Sequence, residues 1–255
     1  MKFLSLFSGI GGLDLGLERA GMTCVGQVEI NPYCRTVLEK HWPNVPKHDD
    51  VRTFAGHEFG DFDFIVGGFP CQDVSNAGLR AGISAPRSGL YGEIVRCLRV
   101  VRPLGALLEN VAALLGRGMG RVLGDMAEIG YDSEWDCIPA SACGALHHRD
   151  RVFVRAVRAD AIGVRPQRIG TPAKGPWSLE QFEGLVQAEV RLSVPAGAIG
   201  GISDGVSNRT HRLRGLGNAV VPQVAEVIGR SIMESMRSIP EMYRLRLTDA
   251  ESMII

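Results

Sequence analysis

Over the first 156 residues, apolar runs of strand length alternate with segments of helical spacing, and this rhythm constrains the fold most. "KFLSLFSG" predicts a short strand ending in a glycine-rich turn, and "LDLGLERAG" a helix closed by Gly21. "TCVGQVEI" predicts a second strand ending at Glu29. Asn31 and Pro32 then open a helix to about His41, one as cap and one at the first helical position. "DFDFIVGG" reads as a strand, "GLYGEIVRCLRVVRP" as a helix stopped by Pro103, and "GALLENV" as a buried strand. "GRGMGRVLGDMAEIGY" predicts another helix, with "SEWDCIPA" and "RDRVFVRAV" as the last two strands. Such alternation implies right-handed crossovers and a mostly parallel sheet covered by helices on both faces. Ligands of these sheets bind beyond the carboxyl ends of the strands. Gly9 to Gly12, Glu29, Asp50, Cys71 and Glu109 fall at those ends.

After Ala156 the rhythm stops. "RADAIGVRPQRIGTPAKGPWSLEQF" and "RLSVPAGAIGGISDGVSN" are irregular and rich in Gly and Pro, and "GNAVVPQVAEVIGRSIMESM" restores an amphipathic helix opened by Pro222. Residues 1–156 and 206–255 are therefore expected to form one unit around the sheet, with 157–205 as a small irregular lobe. Charge follows the same division. Residues 1–144 carry net −4 and residues 145–215 net +5, within a chain of net charge zero. A basic segment beside an acidic body fits either a solvated loop or a polyanion contact.

The 32 glycines among 255 residues are nearly twice the usual ~7%, as expected of a chain with many tight turns and close backbone approaches. No apolar run approaches the ~18 residues that span a bilayer, so no membrane segment is expected. The opening residues read as strand and turn, not as a signal peptide. The six cysteines show neither a C-x-x-C pair nor zinc-like spacing, so reduced thiols in a cytoplasm, and no metal, are expected.

The turn "FSGIGGLDLG" invites comparison with the dinucleotide fingerprint, but the third glycine is replaced by Asp14. That disfavours a nicotinamide-dependent oxidoreductase. A nucleotide-like cofactor without a pyrophosphate remains compatible, with Glu29 placed to accept from ribose hydroxyls.

"FSGIGGLDLGLERAG", "GGFPCQ", "LLENV" and "GNAVVPQ" occur in this order, and together they resemble the cytosine-C5 DNA methyltransferases, in particular the short enzymes of bacteriophages. The resemblance implies a Rossmann-like, S-adenosylmethionine-dependent methyltransferase fold. It also implies methyl transfer to C5 of a cytosine flipped out of double-stranded DNA. Taken singly, Cys71 reads as a buried thiol and Glu109 as a surface carboxylate. In this company Cys71 becomes the nucleophile towards C6 and Glu109 the acid at N3, which requires a raised pKa. Asn110 would steady the neighbouring loop. For the cofactor, the resemblance implies Phe7 and Ile30 against the adenine, and Ile10, Gly11 and Gly12 near the methionine part. Glu29 would take the ribose and Asp50, with Val51, the adenine amino group (Asp49 is the alternative); Leu90, Asn218 and Ala219 complete the set.

Two departures qualify the resemblance. The family's Gln-x-Arg-x-Arg becomes His147, Arg149 and Arg151 in "HHRDRVFV". The two arginines keep alternate positions, expected to project from an extended segment to the cytosine carbonyl and a flanking phosphate. The region between Val157 and Gly205 is also shorter than most relatives devote to target recognition. Arg209, Arg212 and Arg214 form a basic cluster suited to DNA phosphates. The expected setting is a monomer in a bacterial or phage-infected cytoplasm, near the nucleoid, with a cognate restriction endonuclease as candidate partner. The rival readings are methylation of transfer RNA and a catalytically silent DNA-binding relative that needs a partner.

Overall fold

The computed structural model describes residues 1–70, 89–145, 148–160 and 215–237. Seven strands form one sheet: β1 (Lys2–Leu6), β2 (Thr23–Val28), β3 (Lys47–His48), β4 (Phe64–Gly68), β5 (Gly105–Val111), β6 (Tyr131–Pro139) and β7 (Asp150–Arg158). Their order is β3-β2-β1-β4-β5-β7-β6. Strands β1 to β5 pair in parallel, and β7 lies antiparallel to both β5 and β6.

The helices are α1 (Gly12–Arg19), α2 (Pro32–His41), α3 (Leu90–Val101), α4 (Leu114–Arg117), α5 (Met119–Glu128) and α6 (Pro222–Arg237). Helix α2 starts where the sequence provides for it. The Asn31 side chain accepts from the backbone of Tyr33 and Cys34, and Pro32 sits in the first turn of α2. The helix expected across residues 116–131 is two pieces, α4 and α5. Gly118, with φ near −166°, breaks the run between them. The two-residue strand β3 was also not anticipated.

Alternate strand residues feed two cores. Leu4, Leu6, Ile65, Ala106, Leu108 and Val154 pack with Tyr91, Ile94 and Leu98 of α3 and Val122 and Met126 of α5. Phe3, Phe64, Val66, Leu107 and Phe153 pack with Leu13 and Leu17 of α1 and Val224, Ile228 and Ile232 of α6. Helices therefore cover both faces, and each fully buried side chain of this size contributes about 1.5–3 kcal/mol.

Two features shape the β1–α1 turn. The Asp14 side chain is fully buried and accepts from Ser5 Oγ (3.0 Å) and Gln27 Nε2 (2.8 Å), tying α1 to β1 and β2. Burial pushes its carboxyl up to about 6. The close approach missing at Asp14 occurs at Gly16: a Cβ there would lie 2.3 Å from the Pro222 carbonyl oxygen and 2.4 Å from the Ala225 Cβ. Helix α1 thus meets α6 almost backbone to backbone.

Candidate active site

A cavity of about 740 Å³ opens beyond the carboxyl ends of β1, β2, β4 and β5. Of the side chains expected at the site, Phe7, Glu29, Ile30, Asp50, Val51, Leu90, Glu109, Arg151 and Asn218 line it. Gly12 and Ala219 line a small adjoining cavity that shares Phe7, Gly9, Glu109 and Asn218. Ile10 and Gly11 line neither. Gly11 instead backs on the Trp42 ring, which would meet a Cβ at 2.4 Å, and Ile10 packs under Gly215. Cys71, His147, Arg209, Arg212 and Arg214 lie outside the described residues. Pro70, which precedes Cys71, borders the cavity.

At one end of the cavity the Glu29 carboxylate is held by the backbone. Oε2 accepts from Gly9 N (2.8 Å) and Oε1 from Asn31 N (2.7 Å). A carboxylate oxygen accepts more than one bond, so both retain capacity for hydroxyl donors. Arg35 of α2 donates Nη1 to the carbonyls of Glu29 and Ile30, both at 3.1 Å. The Ile30 side chain is 58% exposed at the cavity edge.

On the adjacent wall, Asp50 accepts from Arg52 Nε and from the Arg52 backbone N–H (3.0 Å), and this pairing holds its carboxyl down at about 2. Asp49 is the more exposed of the two, its side chain 76% accessible and 3.8 Å from Arg35. Arg96 of α3 fixes this loop, donating Nη2 to Val51 O (2.8 Å) and Phe54 O (2.7 Å).

Glu109 and Arg151 lie at the other end. The antiparallel pairing of β5 with β7 brings them to the same sheet rim, and Arg151 Nε stands 2.8 Å from Glu109 Oε1. Burial pushes the Glu109 carboxyl up to about 7, opposed by Arg151 and Arg149. Its other oxygen lies over Gly68, where a Cβ would stand only 2.5 Å away. The second glycine of "VGG" therefore makes room for a carboxyl group. Asn110 donates Nδ2 to Phe69 O (3.3 Å), tying β5 to the segment that enters Pro70.

Arg149 departs from expectation. It lies outside β7 with φ +37°, so it is not an alternate position of one extended segment. It does not line the cavity. Its Nη2 donates to Gly217 O (2.6 Å) and Ala219 O (2.7 Å), the carbonyls on either side of Asn218.

The model for C-5 cytosine-specific DNA methylases matches residues 1–184. The chain belongs to that family. Curated DNA methylase relatives include the type II methyltransferase M2.BsuMI of Bacillus subtilis (strain 168). It is 36% identical over 164 residues, covering 61% of this chain and 42% of that protein. The type II methyltransferase M.CviJI of Paramecium bursaria Chlorella virus IL3A is 38% identical, covering 62% and 44%. The matched part spans less than half the length of these relatives. Among solved structures, a putative DNA modification methyltransferase encoded within an E. coli prophage aligns with TM-score 0.63 at 19% identity, over 93% of this chain and 100% of that one. Entamoeba histolytica methyltransferase EhMeth aligns with TM-score 0.64 at 14% identity, over 92% and 98%. The fold is the Rossmann-like methyltransferase fold expected from the sequence.

Several residues that shape this cavity escaped the sequence. Gly68, Glu93, Cys34 and Arg52 line it, and Arg35 and Arg96 brace its walls. Only Arg52 carried a usable signal, two positions from Asp50. The others depend on which helix face meets which loop. No helix among the described residues is long and apolar enough to cross a membrane.

Proposed function

We propose that this chain methylates cytosine at C5 in double-stranded DNA, with the base flipped into the cavity beside Glu109. The pairing of Glu109 with Arg151 on a cavity wall carries the reading, because burial holds that carboxyl near neutrality between proton donor and acceptor. Cytosine C5 is a poor nucleophile, and C6 inside a base stack is out of reach, so the base must leave the helix. The Cys71 thiolate adds to C6 while Glu109 gives a proton to N3, and the resulting enamine has a nucleophilic C5. After methyl transfer to C5, water takes the C5 proton, the C6–S bond breaks to restore the thiolate, and N3 returns its proton to Glu109. Arg151 orients Glu109 through Oε1, so the proton resides on the oxygen over Gly68.

The residues present fit S-adenosylmethionine. Glu29 offers two anchored carboxylate oxygens to ribose hydroxyls, Asp50 a carboxylate to an amino group, and Phe7, Ile30, Val51 and Leu90 apolar surface to a flat ring. The bound cofactor supplies an electrophilic methyl group. Asn218 and the turn around it close the side nearest Gly12. Arg209, Arg212 and Arg214 are assigned to backbone phosphates, and residues 157–205 to target choice.

The deciding experiment is covalent trapping on DNA containing 5-fluorocytosine, where fluorine cannot leave as a proton does. A denaturation-resistant adduct is expected with S-adenosylmethionine and the unaltered chain, and none with Cys71→Ser, which should also lose methyl transfer by at least about 10³-fold. Fluorocytosine-containing transfer RNA serves as the parallel substrate. Trapping on RNA alone would transfer the chemistry to the other polymer, and an active chain without any adduct would remove the covalent route.

A further inference from the structure

We propose that Arg149 is a positioning residue for the cofactor side of the cavity, and not a contact to the nucleic acid. The inference rests on the functional reading above and names the residue that sets its Asn218 turn. One nitrogen of the guanidinium bonds two carbonyls, Gly217 O at 2.6 Å and Ala219 O at 2.7 Å. The residue between those carbonyls, Asn218, faces the cavity. On its other side this turn is confined by Gly215 against Ile10 and by the Val220 carbonyl, 2.3 Å from where a Gly12 Cβ would stand. Arg149 thus completes a clamp on the only segment after residue 160 that reaches the cavity among the described residues.

The same construction occurs twice more around the cavity. Arg35 spans the carbonyls of Glu29 and Ile30, and Arg96 spans those of Val51 and Phe54. Carbonyls that leave a strand or turn need partners, and a guanidinium on a neighbouring element can satisfy two while fixing their separation. All three arginines therefore act on loops assigned to the cofactor, each through backbone. The left-handed φ of Arg149 has the cost expected of a non-glycine residue and persists because this clamp determines it. Two residues on, Arg151 engages Glu109. The start of β7 consequently ties cofactor seating to the proposed proton donor, with Arg151 bonded to Glu109 and Arg149 acting on it through charge alone.

A positioning role and a phosphate contact make opposite predictions for two measurements. For Arg149→Ala, the dissociation constant for S-adenosylhomocysteine, measured by calorimetry, should rise about tenfold or more, and KM for S-adenosylmethionine should rise with it. The rise in KM should exceed any change in kcat at saturating cofactor, and the salt dependence of DNA binding should keep its slope. Loss of a phosphate contact would instead make that slope shallower by about one. Arg149→Lys is the second variant, should Arg149→Ala fail to fold. It retains the charge a phosphate needs, but its nitrogen ends one atom short of the Arg149 Nη2 that bonds both carbonyls, so cofactor affinity should still fall. Unchanged cofactor affinity in the folded variant, or a shallower salt slope, would overturn the assignment. Absence of S-adenosylhomocysteine binding by the unaltered chain would instead overturn the functional reading, and this one with it.

Discussion

At Glu109, desolvation and two neighbouring arginines act in opposite directions, and desolvation prevails: the carboxyl rises from 4.5 to about 7. Two consequences follow, with the same sign. Between about pH 4.5 and 7 the folded chain holds a proton that the unfolded chain has lost, so stability falls as pH rises through that window, by roughly 3 kcal/mol at most. Asp14, raised to about 6 by burial, adds a contribution of the same direction. In the proposed mechanism the protonated carboxyl is the working form, so the rate should decline as pH rises through about 7. Glu109→Gln should lower the rate about 10²-fold or more and abolish this alkaline limb in a pH–rate profile. An unaltered limb in the variant would assign it to another group. The need for a raised carboxyl came from the family resemblance, and the placement of Glu109 after "GALL" at a strand end suited it. Its partner oxygen over Gly68 was not, because that contact joins two adjacent strands.

Among the elements, α1 and α6 show how a short residue controls a crossing. Gly16 faces the Pro222 carbonyl, the Ala225 Cβ and the Glu226 nitrogen, all within 2.8 Å of an added Cβ. Replacing glycine by alanine inside a helix ordinarily gains up to about 1 kcal/mol. At Gly16 the clash involves backbone that cannot turn aside, so Gly16→Ala should destabilise by about 1–3 kcal/mol. Gly124 in α5 has nothing within 4 Å of an added Cβ, so Gly124→Ala should stabilise. Urea midpoints that shift in the same direction for both would contradict this packing account. The long periodic elements were legible because period 2 and period 3.6 survive in sequence, as do the Asn31-Pro32 cap and the Pro222 start. β3 was lost because two residues carry no period, and the direction of β7 because alternation looks the same in either sense. Arg149 was expected in extended geometry from its spacing to Arg151; its positive φ depends on contacts with a segment about seventy residues later.

For the whole molecule, the reversed strand also decides where the chain goes next. Because β7 starts at the cavity rim beside Val111 and ends opposite Gly105, residue 158 lies at the far rim of the sheet. Gly215 is back at the cavity. A nine-residue strand covers about 30 Å, a distance that about ten extended residues can climb. Residues 161–214 number far more than the ascent requires. About forty residues therefore remain beyond the length of the ascent, and the proposed function assigns most of them to target choice. Replacing residues 166–205 with about eight Gly and Ser residues should preserve S-adenosylhomocysteine binding within about threefold while removing sequence-selective methylation. Calorimetry and bisulfite sequencing would read the two effects, and lost cofactor binding would mean that the surplus supports the core. A single strand laid against the grain thus separates the proposed reaction from its proposed address: Glu109 and Arg151 meet where β7 begins, and the residues assigned to target choice fall on the return journey.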